Sequence, residues 1–379
     1  MLKWNKLLLN DEDARAFDAR IEPTAEQRDY LRDCRVKIRE HVREGIRRAS
    51  VTVLQLDREV SPRFRLQGSW SYLTCIQRAH GSQEMDLDYG VYLPVSVFED
   101  HKPRVAAKAY FDLVEKLLEK LCLVEGWVLD RNNDKCIRLK VADWAHIDVP
   151  LYAAPEHIFL TIQERAAVLK AEYADFNAAF DLTESFWEEM DGIHLARRNG
   201  TWKPSDPAAV TRWWRDMMEE HGPQLRRVCR YIKAWRDLWW PTGGPSSVAL
   251  MIAVARDFSA RPRRDDLALE AAAERLVTAL QGELREPGID GGIEDFLGGL
   301  AAEERRDAVA KARELFNRLK LARSFGAHLH ADAVVEIRAR LGDRIPARPD
   351  WVDNDGGADV RAAAAVIVAP PAVKATESG

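Results

Sequence analysis

Residues 67–94, QGSWSYLTCIQRAHGSQEMDLDYGVYLP, constrain this chain more than any other stretch. A Gly68-Ser69 turn follows the alternating apolar positions Phe64 and Leu66, a polar loop spans 78–83, and residues 85–93 read as a strand. Residues two apart on a strand share a face, so Asp86 and Asp88 project side by side. Adjacent carboxylates repel, and one takes up a proton unless a cation stands between them. Mg²⁺ suits such a pair because it prefers carboxylate and phosphate oxygens. The Gly-Ser turn can present backbone N–H groups and a hydroxyl to a phosphate. A lone DxD is ordinarily a solvated face, and a lone Gly-Ser is weaker still. Their order and closeness here point to a site for a metal-bound nucleoside triphosphate.

A second stretch sharpens this. Residues 144–152, WAHIDVPLY, form another apolar strand with one embedded carboxylate, Asp148. An isolated buried carboxylate is costly, whereas a neighbouring strand would set Asp148 beside Asp86 and Asp88, making a three-carboxylate cluster for two metals.

The motifs QGS at 67–69, DLD at 86–88 and HIDVPLY from His146 resemble those of the polymerase-β-like nucleotidyltransferases. DLDYGVYLP and RYIKAWRDLWWPTGGPSS bring the resemblance closest to the bacterial cGAS/DncV-like nucleotidyltransferases of cyclic-oligonucleotide antiphage signalling. The expected fold is α+β: a polymerase-β-like core, in which a mixed sheet carries flanking helices, joined to a helical second lobe across an active-site cleft. The expected domains are 1–200 for the core lobe with its N-terminal helix, 201–346 for the helical lobe and 347–379 for a flexible tail.

At 379 residues the chain exceeds what one core usually holds. No apolar run reaches the length that spans a bilayer, and the start, MLKWNKLLLNDEDARAF, does not read as a signal peptide. Five scattered cysteines without a CxxC speak for a reducing compartment, here expected to be the cytoplasm, and against zinc. A net charge of −5 argues against an obligate grip on nucleic acid.

Thr24-Ala25-Glu26-Gln27 opens a helix whose inner face carries Tyr30, Leu31, Cys34, Ile38, Val42 and Ile46, with its Arg and Glu residues as a solvated face. A second helix is expected over 105–121, followed by short strands at 126–130, 136–141 and 145–153. Residues 158–167 read as a strand-turn-helix link, and 197–207 as a surface hairpin or a strand bordering the nucleotide cleft. From Pro223 a helix carries Leu225, Val228, Cys229, Ile232 and Trp235 on one face, with Lys233 beside them. Such a lysine is normally solvated, but the following turn ends in Ser246-Ser247, which can cap the next helix and make an anion site at its N-terminus. Further helices are expected over 267–284, 302–321 and 331–341.

Asp86 and Asp88 are accordingly assigned to two Mg²⁺ ions, for which Mn²⁺ is an expected substitute, and Asp148 to the ion that activates a 3′- or 2′-hydroxyl. Ser69, Lys233, Ser246 and Ser247 are assigned to the triphosphate. The resemblance adds Gln67 and Gly68 to the nucleotide site. It also matches Tyr72 to a base-stacking aromatic, for which core packing is the competing reading. It implies a synthase that joins NTPs into a purine-containing cyclic di- or trinucleotide, with cyclic GMP-AMP as one guess, which then activates an effector. It further implies conjugation of Gly379 by ubiquitin-transfer-like partners. A non-cyclising nucleotidyltransferase acting on RNA or a small molecule shares the same carboxylates.

Overall fold

The computed structural model describes residues 1–52, 59–94, 97, 103–155 and 192–355. The link expected at 158–167 and the last 24 residues, 356–379, lie outside them. In chain order the strands are β1 (Leu2–Lys3), β2 (Arg63–Gln67), β3 (Met85–Pro94), β4 (Val128–Asp130), β5 (Ile137–Ala142), β6 (Ala145–Val149), β7 (Leu151–Ala154), β8 (His194–Ala196), β9 (Trp202–Pro204) and β10 (Asp353–Asn354). The main sheet has the order β4-β5-β6-β3-β7-β8-β9, with β2 also paired to β3.

Strand β3 is the hub. Its first half runs parallel to β6 and its second half parallel to β7, while β2 lies antiparallel along it. The strand expected over 145–153 is divided at Pro150, which has no N–H to give a ladder; its carbonyl instead accepts from Val91 N at 2.9 Å. Alternation sorts the side chains of β3. Met85, Leu87, Tyr89, Val91 and Leu93 enter one core, built with the helices Ala25–Thr52 and Pro103–Glu125. Asp86, Asp88, Gly90 and Tyr92 share the opposite face.

The Thr24 start signal is realised as a reciprocal cap: Gln27 N donates to Thr24 Oγ1 at 3.2 Å, and Thr24 N donates to Gln27 Oε1 at 2.8 Å. Leu31, Cys34, Ile38, Val42 and Ile46 are buried as expected, whereas Tyr30 is exposed, its hydroxyl donating to Val141 O. Ion pairs Asp29–Arg32, Glu44–Arg47 and Glu44–Arg48 line the wet face.

A second core gathers the helices Ala209–His221, Pro223–Trp239, Ser247–Ala255, Asp265–Ala279, Ala302–Ser324 and His330–Leu341. The first residues join it. Leu2, Trp4, Leu7, Leu8, Phe17 and Ile21 are buried in this helical cluster, although the chain order placed them with the first lobe. Trp4 N donates to Asp266 Oδ2, and Asp265 N donates to Asn5 Oδ1. Residues 347–355, expected to open a flexible tail, lie within the described residues. Trp351 and Val352 are buried in the same cluster and β10 pairs with β1, so residues 347–355 are structured despite their Pro, Asp and Gly content. All five cysteines are free and buried. No described helix is long and apolar enough to cross a membrane.

Candidate active site

The register of β3 against β6 builds the acidic centre. Asp88 lies opposite Asp148, and Asp86 opposite His146. Because the two strands are parallel neighbours and each pair is two residues apart, all four side chains rise from one face. One ligand atom from each of Asp86, His146 and Asp148 falls within a group whose members lie within 4.8 Å of one another. Strand β5 supplies the next neighbour. Arg138, opposite Asp148 in the ladder, forms a two-pronged ion pair with it, Nε to Oδ1 at 2.7 Å and Nη2 to Oδ2 at 2.8 Å.

The consequence for Asp88 is electrostatic. Burial, and then repulsion from Asp86 and Asp148, push its carboxyl up to about 8. For His146, burial disfavours the charged ring, but the Asp86 carboxylate beside it outweighs this and raises the imidazole above its ordinary range. A metal-free site that crowds three carboxylates this way is short of positive charge. The hard oxygen donors of the aspartates fit divalent cations such as Mg²⁺ or Mn²⁺.

The Gly-Ser turn is a short helix, Gly68–Ser71, starting at a left-handed Gly68 with φ +64°. A Cβ at Gly68 would stand 2.1 Å from Asp88 Oδ2. Only glycine permits both the conformation and this approach, so the turn is pressed directly against the carboxylate. Ser69 O accepts from Thr74 N and Cys75 N at 2.8 and 3.0 Å, closing the turn on the loop that follows.

A cleft of about 400 Å³ opens between the lobes. Gly68, Ser69, Glu84, Asp86 and Asp88 form one wall, and Lys233, Arg236, Asp237, Ser246 and Ser247 the other. Lys233 is buried at 6% exposure, its Nζ donating to Thr74 O at 2.6 Å. Burial lowers its pKa. Ser246 caps the helix Ser247–Ala255, its Oγ accepting from Ala249 N at 3.1 Å, which leaves Ser247 on the cleft wall. The polar loop at 78–83 ties the lobes together: Gln83 Nε2 donates to Asp237 O at 2.7 Å, and His80 Nε2 lies 2.9 Å from Leu238 O.

Of the residues singled out by sequence, Asp86, Asp88, Gly68, Ser69, Tyr72, Lys233, Ser246 and Ser247 converge on this cleft, with Asp148 adjoining in the ladder. Tyr72 touches the cleft, yet it is 8% exposed and packs in the helical core, so core packing accounts for most of its ring. Gln67 is corrected. It is buried and absent from the cleft wall; its Nε2 donates to Tyr92 Oη at 2.5 Å and its Oε1 accepts from Tyr152 Oη at 3.4 Å. It therefore braces the sheet behind the carboxylates, where Tyr92 and Tyr152 stack with centroids 4.7 Å apart. The segment at 197–207 is a hairpin on the far edge of the sheet, held by Arg198 to Glu115 at 2.5 Å, and does not border the cleft. His146 and Arg138 were missed. The HxD spacing at His146 and Asp148 repeats the DxD logic of β3 and could have revealed the first; Arg138 had no local signal.

A sheet whose hub strand carries two carboxylates, met by a third from its parallel neighbour beside a Gly-Ser turn, is the architecture of a nucleotidyltransferase. The nucleotidyltransferase domain of the cyclic GMP-AMP synthase DncV-like family matches residues 62–152, and the cyclic GMP-AMP synthase C-terminal domain matches residues 222–352. The chain belongs to the DncV-like nucleotidyltransferase family.

Among relatives, a cyclic GMP-AMP synthase of Escherichia coli (strain TW11681) is 39% identical over 219 residues, 55% of this chain and 50% of that protein. A cyclic GMP-AMP synthase of Vibrio cholerae is 36% identical over 205 residues, 51% and 47% of the two chains. The chain thus spans about half the length of the curated relatives it matches. Among solved structures, Vibrio cholerae DncV cyclic AMP-GMP synthase in complex with the linear intermediate 5′ pppA(3′,5′)pG aligns with a TM-score of 0.74 at 23% identity, covering 93% of this chain and 98% of that one. Escherichia coli DncV in its 3′-deoxy GTP bound form aligns at 0.71 and 24%, covering 93% and 100%. At these identities the structures establish a shared fold.

Proposed function

We propose that this chain is a metal-dependent nucleotidyltransferase that joins NTPs into a cyclic di- or trinucleotide containing purines, releasing pyrophosphate. The observation that carries it is the placement of Asp86, Asp88 and Asp148 together, with Lys233 and Ser247 across the cleft. Asp86 and Asp88 would hold two Mg²⁺ ions, with Mn²⁺ as a substitute, and Asp148 the ion beside the attacking hydroxyl. Bound divalent cations at such a site acidify that hydroxyl and neutralise the reacting phosphate and leaving oxygen.

The remaining work falls to the chain. Gly68 and Ser69 present the turn to the donor phosphates. Lys233, Ser247 and the helix N-terminus behind it complement the β- and γ-phosphates from the other wall. The 2′- or 3′-hydroxyl of the acceptor attacks the donor α-phosphate; the bond to the bridging oxygen breaks, and pyrophosphate leaves. A second transfer within the linear product closes the ring.

The names of the relatives support cyclic GMP-AMP as the first product to look for; that product would serve an antiphage effector in the cytoplasm. The lobes expected at 1–200 and 201–346 would divide the work as catalytic and closing lobes, with the first 21 residues packed against the closing one. Gly379, which lies outside the described residues, would be the point of conjugation by a ubiquitin-transfer-like partner; an adduct unchanged by deleting Ser378 and Gly379 would exclude that.

Purified protein incubated with Mg²⁺ or Mn²⁺ and combinations of labelled ATP, GTP, CTP and UTP, then phosphatase, tests the activity. A phosphatase-resistant product lost in the Asp86→Asn, Asp88→Asn double variant supports the reading, and the label requirement names the bases. A linear product, or one made only with added RNA, would favour the non-cyclising alternative.

A further inference from the structure

We propose that His146 is itself a ligand of one of the two cations and gives that position a mixed nitrogen and oxygen donor set that favours Mn²⁺ over Mg²⁺. This rests on the reading above that the three aspartates hold the ions.

His146 is 7% exposed, on the same face as the carboxylates and between two of them. Its Nδ1 lies 2.8 Å from Glu84 Oε2, and Glu84 is paired with Lys140 Nζ at 3.2 Å on its other oxygen. An ionised carboxylate only accepts, so Nδ1 carries a hydrogen and Nε2 is the nitrogen left to meet a cation. That Nε2 is buried and takes no hydrogen bond. Asp86 Oδ1 stands 3.1 Å from it, off the line a hydrogen bond needs, and Asp148 Oδ1 stands 4.0 Å away. A ring nitrogen set between two carboxylates calls for positive charge there, which a proton supplies without metal and a divalent cation would supply in its place.

A histidine that merely filled the core would have both nitrogens satisfied or facing apolar groups. Here one nitrogen is anchored by a carboxylate and the other lies within 4.0 Å of two further carboxylates. That is the carboxylate–histidine–metal arrangement, in which the outer carboxylate sets the tautomer and the ring's orientation. Imidazole is a good donor to transition-metal dications, whereas Mg²⁺ demands hard oxygen ligands and keeps its waters. The nitrogen therefore contributes to binding Mn²⁺ and little to binding Mg²⁺.

Pulsed electron paramagnetic resonance on the full chain loaded with Mn²⁺, without nucleotide, reads the ligand directly, because a coordinated imidazole imprints its ¹⁴N coupling on the ion. The expected result is ¹⁴N modulation in the wild type that disappears in His146→Ala. Calorimetric titration of the same proteins should show Mn²⁺ affinity falling about tenfold or more in the variant, with Mg²⁺ affinity little changed. Bound Mn²⁺ with oxygen ligands alone in the wild type, modulation that persists in His146→Ala, or an equal loss for both metals would each overturn the assignment. The first needs no variant to fold. Titration of Asp86→Asn and Asp148→Asn separates the two claims. If both aspartate variants lose Mn²⁺ while the wild type shows no ¹⁴N, only the histidine assignment fails. If neither loses it, or the wild type takes up none, the three-aspartate reading fails with it.

Discussion

Replacing Gly68 by alanine should remove activity far out of proportion to its effect on folding. The residue sits at φ +64°, where an L side chain costs about 1–2 kcal/mol. The new Cβ would begin 2.1 Å from Asp88 Oδ2, so the carboxylate or the turn must move by more than 1 Å before the contact becomes ordinary. The conformational penalty alone lowers Tm by a few degrees, at about 2–4 °C per kcal/mol for larger domains. The displacement falls on the group proposed to position the ions, and a misplacement of about 1 Å costs on the order of 10²-fold in rate. Gly68→Ala and wild type would be compared by the labelled product assay and by thermal unfolding. Gly81→Ala serves as the control, since a Cβ there meets nothing within 4 Å and its φ is not in the left-handed range. Turnover in Gly68→Ala within threefold of wild type would refute the argument that the turn and Asp88 form one close-fitted unit.

Two further outcomes follow from the charges in the cleft. Folding raises the Asp88 pKa from the usual 3.8 to about 8, so its stabilising contribution is complete below about pH 4 and is lost as pH rises through about 8. The metal-free wild type should therefore lose more Tm between pH 6 and 8.5 than Asp88→Asn does, and the Tm gain on adding Mg²⁺ should be larger at pH 8 than at pH 6; thermal scans with and without metal check both, and an equal pH response in the two proteins would sink the account. Lys233→Met should raise KM for ATP about tenfold or more, because its buried ammonium lines, with Arg236, the cleft wall assigned to the triphosphate. An unchanged KM would return Lys233 to a purely structural bond to Thr74 O.

Much of the site was legible because its information is local. The alternation in DLDYGVYLP put Asp86 and Asp88 on one face whatever the rest of the chain did, and the serine pair before an apolar run announced a helix cap. Where side-chain direction depends on distant partners, local pattern is silent. Gln67 adjoins the Gly-Ser turn in sequence, yet its amide is drawn to Tyr92 and Tyr152, which are 25 and 85 residues away. Composition misled in the same way at residues 347–355, whose polar and turn-forming residues are held by a buried Trp351 and by pairing with β1.

By its own periodicities and turn chemistry, the sequence determined the hub strand, the two carboxylates on it, the capped helices and the apolar face each helix buries. These follow from dihedral preferences and from repeats of two and 3.6 residues, which act over a few residues. The tertiary structure alone decided that Asp148 stands opposite Asp88, that Arg138 grips it, that His146 lies between carboxylates, and that the first residues join the helical core. Strand register and lobe packing are set by the burial of whole faces against partners far along the chain, and no short window of sequence contains both sides of such a contact.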